Sequence, residues 1–237
     1  MIDTIAARLD EAAVTRTALA QFGADAGLDV ATAYQVQDAL VARRVGRGEA
    51  VVGVKLGLTS RAKMTQMGVD EVIWGRLTDA MHICDGGTVD LSGHIHPKVE
   101  PEVAFLVEGG AIAAVAPAVE LIDSRYRDFR FTLAEVIADN TSASGFVVGP
   151  WQPVPDNVDN LGVLLEVDGR VAQVGSTAAI LGDPRRALPE AARLAGELRD
   201  GWVLLAGAAT AAVPLTPGAH VRVTVEQLGT VSLRASA

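Results

Sequence analysis

Apolar residues recur at three- and four-residue spacing in two stretches of the first 45 residues. The first stretch includes Ile2, Ile5, Leu9 and Ala13, and the second runs over 30–41. This spacing places the apolar side chains on one face of a helix. The pattern therefore predicts two amphipathic helices, joined by a turn over 22–27.

From residue 50 onward, short apolar and β-branched runs replace the helical pattern. The run 51–58 contains Gly53 and Gly57, which suggest a close approach of neighbouring backbone. A short helix is predicted over 60–67, and Asp183 followed by Pro184 predicts the start of another that ends before Gly201. Strands are predicted over 99–107, 119–122, 202–205, 220–226 and 231–233, with a hairpin over 161–173 that turns at 168–169. Strands with only scattered helices indicate an α+β fold.

Composition and charge exclude several classes of partner. The chain has 20 Lys and Arg against 29 Asp and Glu, a net charge of −9, which repels nucleic acid and anionic membrane surfaces. Cys84 is the only cysteine, so neither an intrachain disulfide nor a cysteine zinc site can form. Asp3, Arg8 and Asp10 interrupt the region where a signal peptide would be apolar, and no stretch could span a bilayer. We expect a soluble cytoplasmic protein.

Three carboxylates lie within apolar strand segments. Side chains alternate along a strand, so Glu100 and Glu102 share one face, and Glu120 lies inside the second apolar run 118–122. Neighbouring carboxylates in such surroundings need a cation, or the pKa of one must rise. A set of three carboxylates suits Mg²⁺ or Mn²⁺ better than zinc. The other interpretation is a strand end exposed to solvent, because Pro101 permits an edge position.

Two histidines suggest a competing metal site. His94 and His96, with Glu100 four residues later, are similar to the first metal motif of cupins, which would imply an Fe, Mn or Zn centre. The second motif of that family would have only His220 to supply its histidine. Otherwise these histidines are expected in a loop before the strand.

Lys55 and two polar runs complete the candidate chemistry. Lys55 lies between Val54 and Leu56 in a glycine-flanked strand, where it could orient an anionic substrate or simply face solvent. The run 139–145 could supply amide and hydroxyl donors or form an ordinary turn. The run 123–128 is expected to be a solvated, internally paired turn.

Several of these segments occur in order as the motifs of a known family. The chain resembles the vinylpyruvate hydratase and 4-oxalocrotonate decarboxylase branch of the fumarylacetoacetate hydrolase superfamily, from about residue 28 to the C-terminus. The matching segments are 53–60, 66–69, 74–75, 96–102, 119–125 and 138–140. Segment 107–117 looks shorter than in relatives, and 206–210 lacks a second glycine often present there.

The resemblance implies a fold, a cofactor and a set of site residues. It implies an N-terminal region of helical and α+β character over 1–85 and a C-terminal mixed β-roll that carries the catalytic site over 86–237. It assigns an essential Mg²⁺ or Mn²⁺ to Glu100, Glu102 and Glu120, and makes Lys55 the substrate-facing catalytic lysine. The substrate contacts that it implies are Ile73, Trp74, Asn140, Ser142, Ser144 and Thr210.

The same resemblance implies decarboxylation of 2-oxo-3-hexenedioate to 2-hydroxypenta-2,4-dienoate and CO₂, in the meta-cleavage route of aromatic catabolism. Hydratases of this group tend to carry an aspartate before the aromatic-Gly pair, where this chain has Ile73 before Trp74. The alternatives are a 2-hydroxypenta-2,4-dienoate hydratase and a catalytically silent partner subunit. The resemblance also implies a homo-oligomer and a possible complex with a related hydratase.

Overall fold

The computed structural model describes residues 1–23, 27–60, 64–65 and 71–237. Parts of the predicted turn over 22–27 and of the predicted helix over 60–67 lie outside these residues, as does the motif 66–69. Within the predicted helix over 60–67, Met64 and Thr65 belong to the described residues and are helical. No helix in the described part of the chain is long and apolar enough to cross a bilayer.

Both predicted N-terminal helices are confirmed. They are α1 (Ile2–Thr15) and α2 (Val30–Gly46). The Asp29 side chain accepts a hydrogen bond from the Thr32 N–H at 2.7 Å and so caps the start of α2. The apolar faces of both helices pack with a third helix, α3 (Leu133–Ala138), in one buried cluster. A capping box between Thr132 and Glu135 begins α3.

The largest element is a mixed sheet that contains the candidate site. Its strands are β1 (Val51–Gly57), β2 (Ile73–Thr78), β3 (His82–Ile83), β5 (Lys98–Glu108), β6 (Ala111–Ile122), β7 (Ala143–Val148), β10 (Val203–Ala208) and β11 (Val213–Pro214). The order is β2-β1-β10-β5-β6-β7-β3, with β11 paired to β5. Strands β1 and β10 are parallel, as are β3 and β7. The long β5 and β6 therefore lie at the centre.

A smaller sheet covers one face of the large one. It consists of β4 (Thr88–Asp90), β8 (Gly162–Val167), β9 (Arg170–Ser176), β12 (His220–Val225) and β13 (Gly229–Ser236), in the order β4-β13-β12-β8-β9. Val103 and Phe105 of β5 pack with Leu165, Val223 and other apolar residues of this sheet in the main core. Because side chains alternate along β5, this packing turns Glu100 and Glu102 to the opposite face.

The α+β architecture with N-terminal helices and a C-terminal mixed sheet is confirmed. The division at residue 85 stays a prediction. Strands β1 and β2, which precede that position, are hydrogen-bonded into the same sheet as β5 and β6, which follow it.

Some elements differ from the predicted pattern. Strand β6 begins at Ala111, directly after a turn in which Gly109 and Gly110 have φ of 58° and 70°, so most of segment 107–117 is strand rather than loop. Asp183 caps a 3₁₀ turn, Pro184–Arg186, before the helix α4 (Ala187–Ala195). This helix ends where Gly196 has φ 83°.

Candidate metal centre and active site

Three glutamates converge on one face of the central sheet. Glu100 of β5 lies directly opposite Glu120 of β6, and Glu102 lies two residues further along β5, opposite Ala118. One carboxylate oxygen from each residue lies within 4.8 Å of the other two. The three residues are at most 7% exposed. The strand alternation and the register together thus build a buried triad, which excludes the interpretation of a solvent-exposed strand end.

Burial and mutual repulsion oppose full ionisation of the triad. Burial and the neighbouring Glu120 carboxylate raise the pKa of Glu102 well above its ordinary value, although Lys55 opposes the shift. Burial also raises the pKa of Glu120, with attraction to Lys55 acting against it and repulsion by Glu100 adding to it. A divalent cation would remove this repulsion and favour the ionised form of all three.

The unsatisfied oxygens of the triad fit such a cation. Glu102 Oε2 accepts a hydrogen bond from the Gly207 N–H at 2.9 Å. Glu102 Oε1 and Glu120 Oε2 are buried and accept no hydrogen bond from a described N–H or hydroxyl donor. Buried polar atoms rarely stay unsatisfied, and carboxylate oxygens are the ligands that Mg²⁺ and Mn²⁺ prefer. The carboxylate oxygens of the triad suit a divalent cation. Their role as its ligands stays a prediction.

Lys55 lies within the same cluster. Its Nζ is 2.9 Å from Glu120 Oε1 and donates a hydrogen bond to the Thr141 carbonyl oxygen at 3.2 Å. Burial alone would lower the pKa of Lys55, but attraction to Glu120, Glu102 and Glu100 outweighs it and raises the pKa. The side chain is 3% exposed and stays charged, so it is not the solvent-facing strand residue of the alternative interpretation.

Close backbone packing brings Lys55 to this position. A Cβ at Gly53 would lie 2.0 Å from the Val203 carbonyl oxygen of the parallel strand β10. A Cβ at Gly57 would lie 2.9 Å from Thr141 Cγ2. The predicted close approach at both glycines is confirmed, and it sets the depth at which Lys55 enters the site.

A strained turn supplies the carbonyl that contacts Lys55. Asn140, Thr141 and Ser142 have φ of 49°, 53° and 57°, a left-handed conformation that costs energy in three consecutive non-glycine residues. Thr141 Oγ1 donates to the Trp74 carbonyl oxygen at 2.7 Å, and the Asn140 amide bonds both the N–H and the carbonyl of Arg76. The turn is therefore tied to strand β2.

A buried arginine holds both ends of this turn. The Arg125 guanidinium donates to the carboxylate and the backbone carbonyl of Asp139, which precedes the turn. It also donates to the carbonyl of Ala143, which follows the turn, at 3.2 Å, and to that of Asp123. Arg125 is 6% exposed and Asp139 is fully buried. The expectation of a solvated turn over 123–128 was wrong for 123–126, because these residues pack beneath the site.

A cavity of about 520 Å³ opens over Lys55 and Glu100, the member of the triad that lines it. Its polar lining includes Lys55, Lys98, Glu100, Arg130 and Ser142. Its apolar lining includes Leu58, Ile73, Ile122, Phe129, Phe131 and Val136. A second hollow of about 540 Å³ lies beside the start of α2, but its Asp29 and Glu135 carboxylates are occupied in helix caps. The first cavity is the candidate active site.

The predicted substrate contacts divide into three groups. Ile73 and Ser142 line the cavity, and the Ser142 hydroxyl is buried without a hydrogen-bond partner. Trp74 stacks on Tyr34 at 5.5 Å, and the Asn140 amide is bonded to Arg76, so both support the cavity from outside. Ser144 and Thr210 are half-buried outside the lining, although Ala211 and Ala212 belong to it. A role for these residues in substrate binding stays a prediction.

The structure adds cavity residues that the sequence did not single out, namely Lys98, Phe129 and Arg130, and it brings Thr141 of the polar run 139–145 to the cavity wall. Lys98 had a detectable signal, because it shares a strand face with Glu100. Arg130 had none, since its segment reaches the cavity only through tertiary packing.

The histidine alternative finds no support in the described residues. The single group of potential metal ligands found there is the glutamate triad. His94 Nδ1 lies 3.0 Å from the Asp90 carbonyl oxygen, and the His96 ring packs 5.1 Å from that of Phe129.

Comparison with known proteins gives the family of this fold and site. A model of the fumarylacetoacetate (FAA) hydrolase C-terminal region matches residues 102–235, more than half of the chain. The chain belongs to the fumarylacetoacetate hydrolase family. Within this family, it is 51% identical over 247 residues to a 4-oxalocrotonate decarboxylase of a Pseudomonas species, covering 98% of this chain and 96% of the relative.

Two further proteins, one hydratase and one decarboxylase of known structure, are similar to this chain. A 2-keto-4-pentenoate hydratase of Burkholderia vietnamiensis strain G4 is 34% identical, over 97% of this chain and 95% of the relative. The solved structure of 4-oxalocrotonate decarboxylase from Pseudomonas putida G7, complexed with magnesium and adipate, superposes with a TM-score of 0.92. That protein is 37% identical, and the alignment covers 99% of this chain and 97% of the other.

Proposed function

We propose that this protein is a Mg²⁺- or Mn²⁺-dependent carboxy-lyase that converts 2-oxo-3-hexenedioate to 2-hydroxypenta-2,4-dienoate and CO₂. The observation that carries the proposal is the buried triad of Glu100, Glu102 and Glu120 beside Lys55, at a cavity whose lining is partly apolar. The 51% identity to a 4-oxalocrotonate decarboxylase supports the same reaction.

Glu100, Glu102 and Glu120 would hold the cation, which would supply Lewis-acid chemistry toward the 2-oxo group of the substrate. In the reaction, the C5–C6 bond breaks and the C6 carboxylate departs as CO₂. The electron pair passes through the C3–C4 double bond to the 2-oxo oxygen, and one proton gives the enol product. Negative charge thus moves from the distal end of the substrate to the 2-oxo end.

The chain's own residues favour this movement of charge. Lys55 places a permanent positive charge among the triad, where negative charge develops on the oxygen. The Thr141 carbonyl at 3.2 Å restrains the ammonium, so little reorganisation is required during the reaction. Ile73 and Val136 present apolar surface in the cavity wall, which favours loss of the carboxylate charge.

The alternative activity, hydration of 2-hydroxypenta-2,4-dienoate, requires proton transfer at the far end of the substrate. Ile73 occupies the cavity wall at the position where the resemblance expects an aspartate in hydratases, and it can transfer no proton. The hydratase of Burkholderia vietnamiensis is also less similar to this chain than the Pseudomonas decarboxylase. The presence of all three glutamates argues against a silent subunit.

The direct test is incubation of the purified protein with 2-oxo-3-hexenedioate and Mg²⁺, with separate measurement of CO₂ and of the organic product. Decarboxylation should release one CO₂ per 2-hydroxypenta-2,4-dienoate formed, and excess chelator should abolish it. Rapid conversion of 2-hydroxypenta-2,4-dienoate to 4-hydroxy-2-oxopentanoate without CO₂ release would identify a hydratase instead. Full activity in excess chelator would contradict the role of the metal.

We further propose a cytoplasmic homo-oligomer that can associate with a related hydratase. The oligomer and the complex rest on the resemblance, whereas the cytoplasmic location rests on the single cysteine and the charge pattern of the sequence. Light scattering of the purified protein tests the oligomer. Co-purification with a co-expressed hydratase tests the complex.

A further inference from the structure

Two cations other than Lys55 line the described part of the cavity, Lys98 and Arg130. Neither pairs with a carboxylate of the described residues. Lys98 Nζ instead lies 4.0 Å from the centre of the Phe129 ring, a cation–π contact that leaves its charge uncompensated. Both positive charges are therefore available to an anion that enters the cavity.

The charges of the triad and of the described cavity cations, together with a divalent cation, match those of a dianionic substrate. Glu100, Glu102 and Glu120 contribute three negative charges, and Lys55, Lys98 and Arg130 contribute three positive charges. A bound divalent cation leaves an excess of two positive charges. A substrate with two carboxylates neutralises that excess, whereas a monocarboxylate leaves one charge unbalanced in a partly apolar cavity.

The three cations of the cavity differ in their surroundings. Lys55 is 2.9 Å from Glu120, and Lys98 lies two residues before Glu100 on the same strand face. Lys55 therefore belongs to the end of the cavity that contains the triad and, under the proposed function, the 2-oxo group. The Lys98 side chain instead extends to the Phe129 ring. Arg130 lies on a separate segment that follows β6 and is exposed at the cavity. Among the described cations of the cavity, Arg130 neither contacts the triad nor packs on an aromatic ring, so its charge is the one left for the second carboxylate.

The backbone that carries Arg130 is held in place. Gln21 Nε2 donates to the Arg130 carbonyl at 2.7 Å and to the Arg127 carbonyl at 3.0 Å. Phe129 packs between the rings of His96 and Phe131, at 5.1 Å and 5.9 Å. A guanidinium carried on a fixed backbone can form a bidentate contact with a carboxylate at a low conformational cost.

We propose that Arg130 recognises the substrate carboxylate that departs as CO₂ and thereby selects six-carbon dicarboxylates over monocarboxylates. The proposal rests on the proposed function for its substrate. Arg130 attracts this carboxylate in the ground state, and the attraction fades as the negative charge moves toward Lys55. Loss of Arg130 should therefore raise KM by about 10- to 100-fold and leave kcat unchanged or slightly higher.

The test measures binding to the Mg²⁺-loaded protein by calorimetry, with adipate and hexanoate as probes of equal chain length. The wild-type protein should prefer adipate, Arg130→Gln should lose that preference, and Arg130→Lys should keep part of it. Arg127→Gln is the matched control, because Arg127 is exposed on the same segment and does not line the cavity. It should behave as the wild type.

An unchanged adipate preference in Arg130→Gln, or an equal loss for both probes, would overturn the proposal. So would a wild-type protein that does not distinguish the two probes. Binding needs no turnover, so the two proposals can fail separately. A protein that prefers adipate through Arg130 but releases no CO₂ from 2-oxo-3-hexenedioate would refute only the proposed function.

Discussion

Lys55 and Glu120 form an ion pair shielded from solvent, with Nζ 2.9 Å from Oε1 and the two side chains 3% and 0% exposed. The pair lies within a cluster of three carboxylates, so a single lysine does not balance the charge. Removal of a buried partner usually leaves an uncompensated charge at high cost. A bound divalent cation would change this, because it supplies the missing positive charge.

Lys55→Met should therefore affect catalysis more than folding when Mg²⁺ is present. We expect turnover to fall by about 10² to 10³-fold, because the variant lacks the charge that stabilises the developing enolate oxygen. Circular dichroism of the Mg²⁺-loaded variant should be that of the wild type. CO₂ release under saturating substrate measures the effect, and near-normal turnover would exclude a catalytic role for Lys55.

Glu102→Gln should weaken Mg²⁺ binding and stabilise the metal-free protein at the same time. The glutamine can still accept the hydrogen bond from Gly207, but it lacks the charge that binds the cation and repels Glu120. We expect at least about a tenfold loss of Mg²⁺ affinity and a higher Tm without metal. Glu108→Gln, at the exposed end of the same strand, is the matched control. Wild-type Mg²⁺ affinity in Glu102→Gln would exclude Glu102 as a ligand.

The strand carrying Glu100 and Glu102 was predictable from sequence, whereas its register with Glu120 was not. Alternation alone places both carboxylates on one face of β5. The sequence predicted only the end of strand β6. Alanines dominate the first half of the strand and Pro117 follows them, and both residue types have low strand propensity. The pairing of Glu100 with Glu120 follows from the turn at 109–110 and from tertiary packing, which local sequence patterns do not encode. Arg130 reaches the cavity for the same nonlocal reason.

The stability of the metal-free protein should fall as pH rises. The pKa values of Glu102 and Glu120 are raised in the folded state, so the folded protein binds more protons than the unfolded chain between the ordinary and the raised pKa values. Stability contributed by these groups is thus present at low pH and lost as pH rises through that window. Mg²⁺ binding should release protons and weaken as pH falls.

Tm measured against pH, with and without Mg²⁺, checks this linkage. Glu102→Gln should flatten the metal-free profile, because the variant lacks one of the two coupled groups. Proton uptake on Mg²⁺ binding, in place of release, would contradict the expected sign.

Arg125→Lys should disturb the site without touching substrate. A lysine keeps the positive charge but cannot reproduce the several contacts with Asp139 and Ala143 that hold the left-handed turn. We expect a lower Tm, and a reduced kcat because Thr141 no longer positions Lys55. Arg127→Lys is the exposed control. A lower Tm with unchanged kcat would limit Arg125 to a purely structural role.

Ile73→Asp should impair decarboxylation more than Ile73→Val, which changes only the size and shape of the side chain. Ile73 is 4% exposed and lies in the apolar part of the cavity wall. An aspartate there would bring a polar or charged group and water to the wall, and so stabilise the carboxylate that must lose its charge. We expect CO₂ release to fall by at least about tenfold, while Ile73→Val, the control, stays within a few-fold of the wild type.

The same variant separates the two chemistries of the family. An acid or base at position 73 could transfer a proton at the far carbon of 2-hydroxypenta-2,4-dienoate, which assists hydration by about 10² to 10⁴-fold when it is well placed. We therefore expect Ile73→Asp to hydrate this compound faster than the wild type, as measured by formation of 4-hydroxy-2-oxopentanoate. Efficient hydration by the wild type, or unchanged CO₂ release in Ile73→Asp, would show that residue 73 does not select between the reactions.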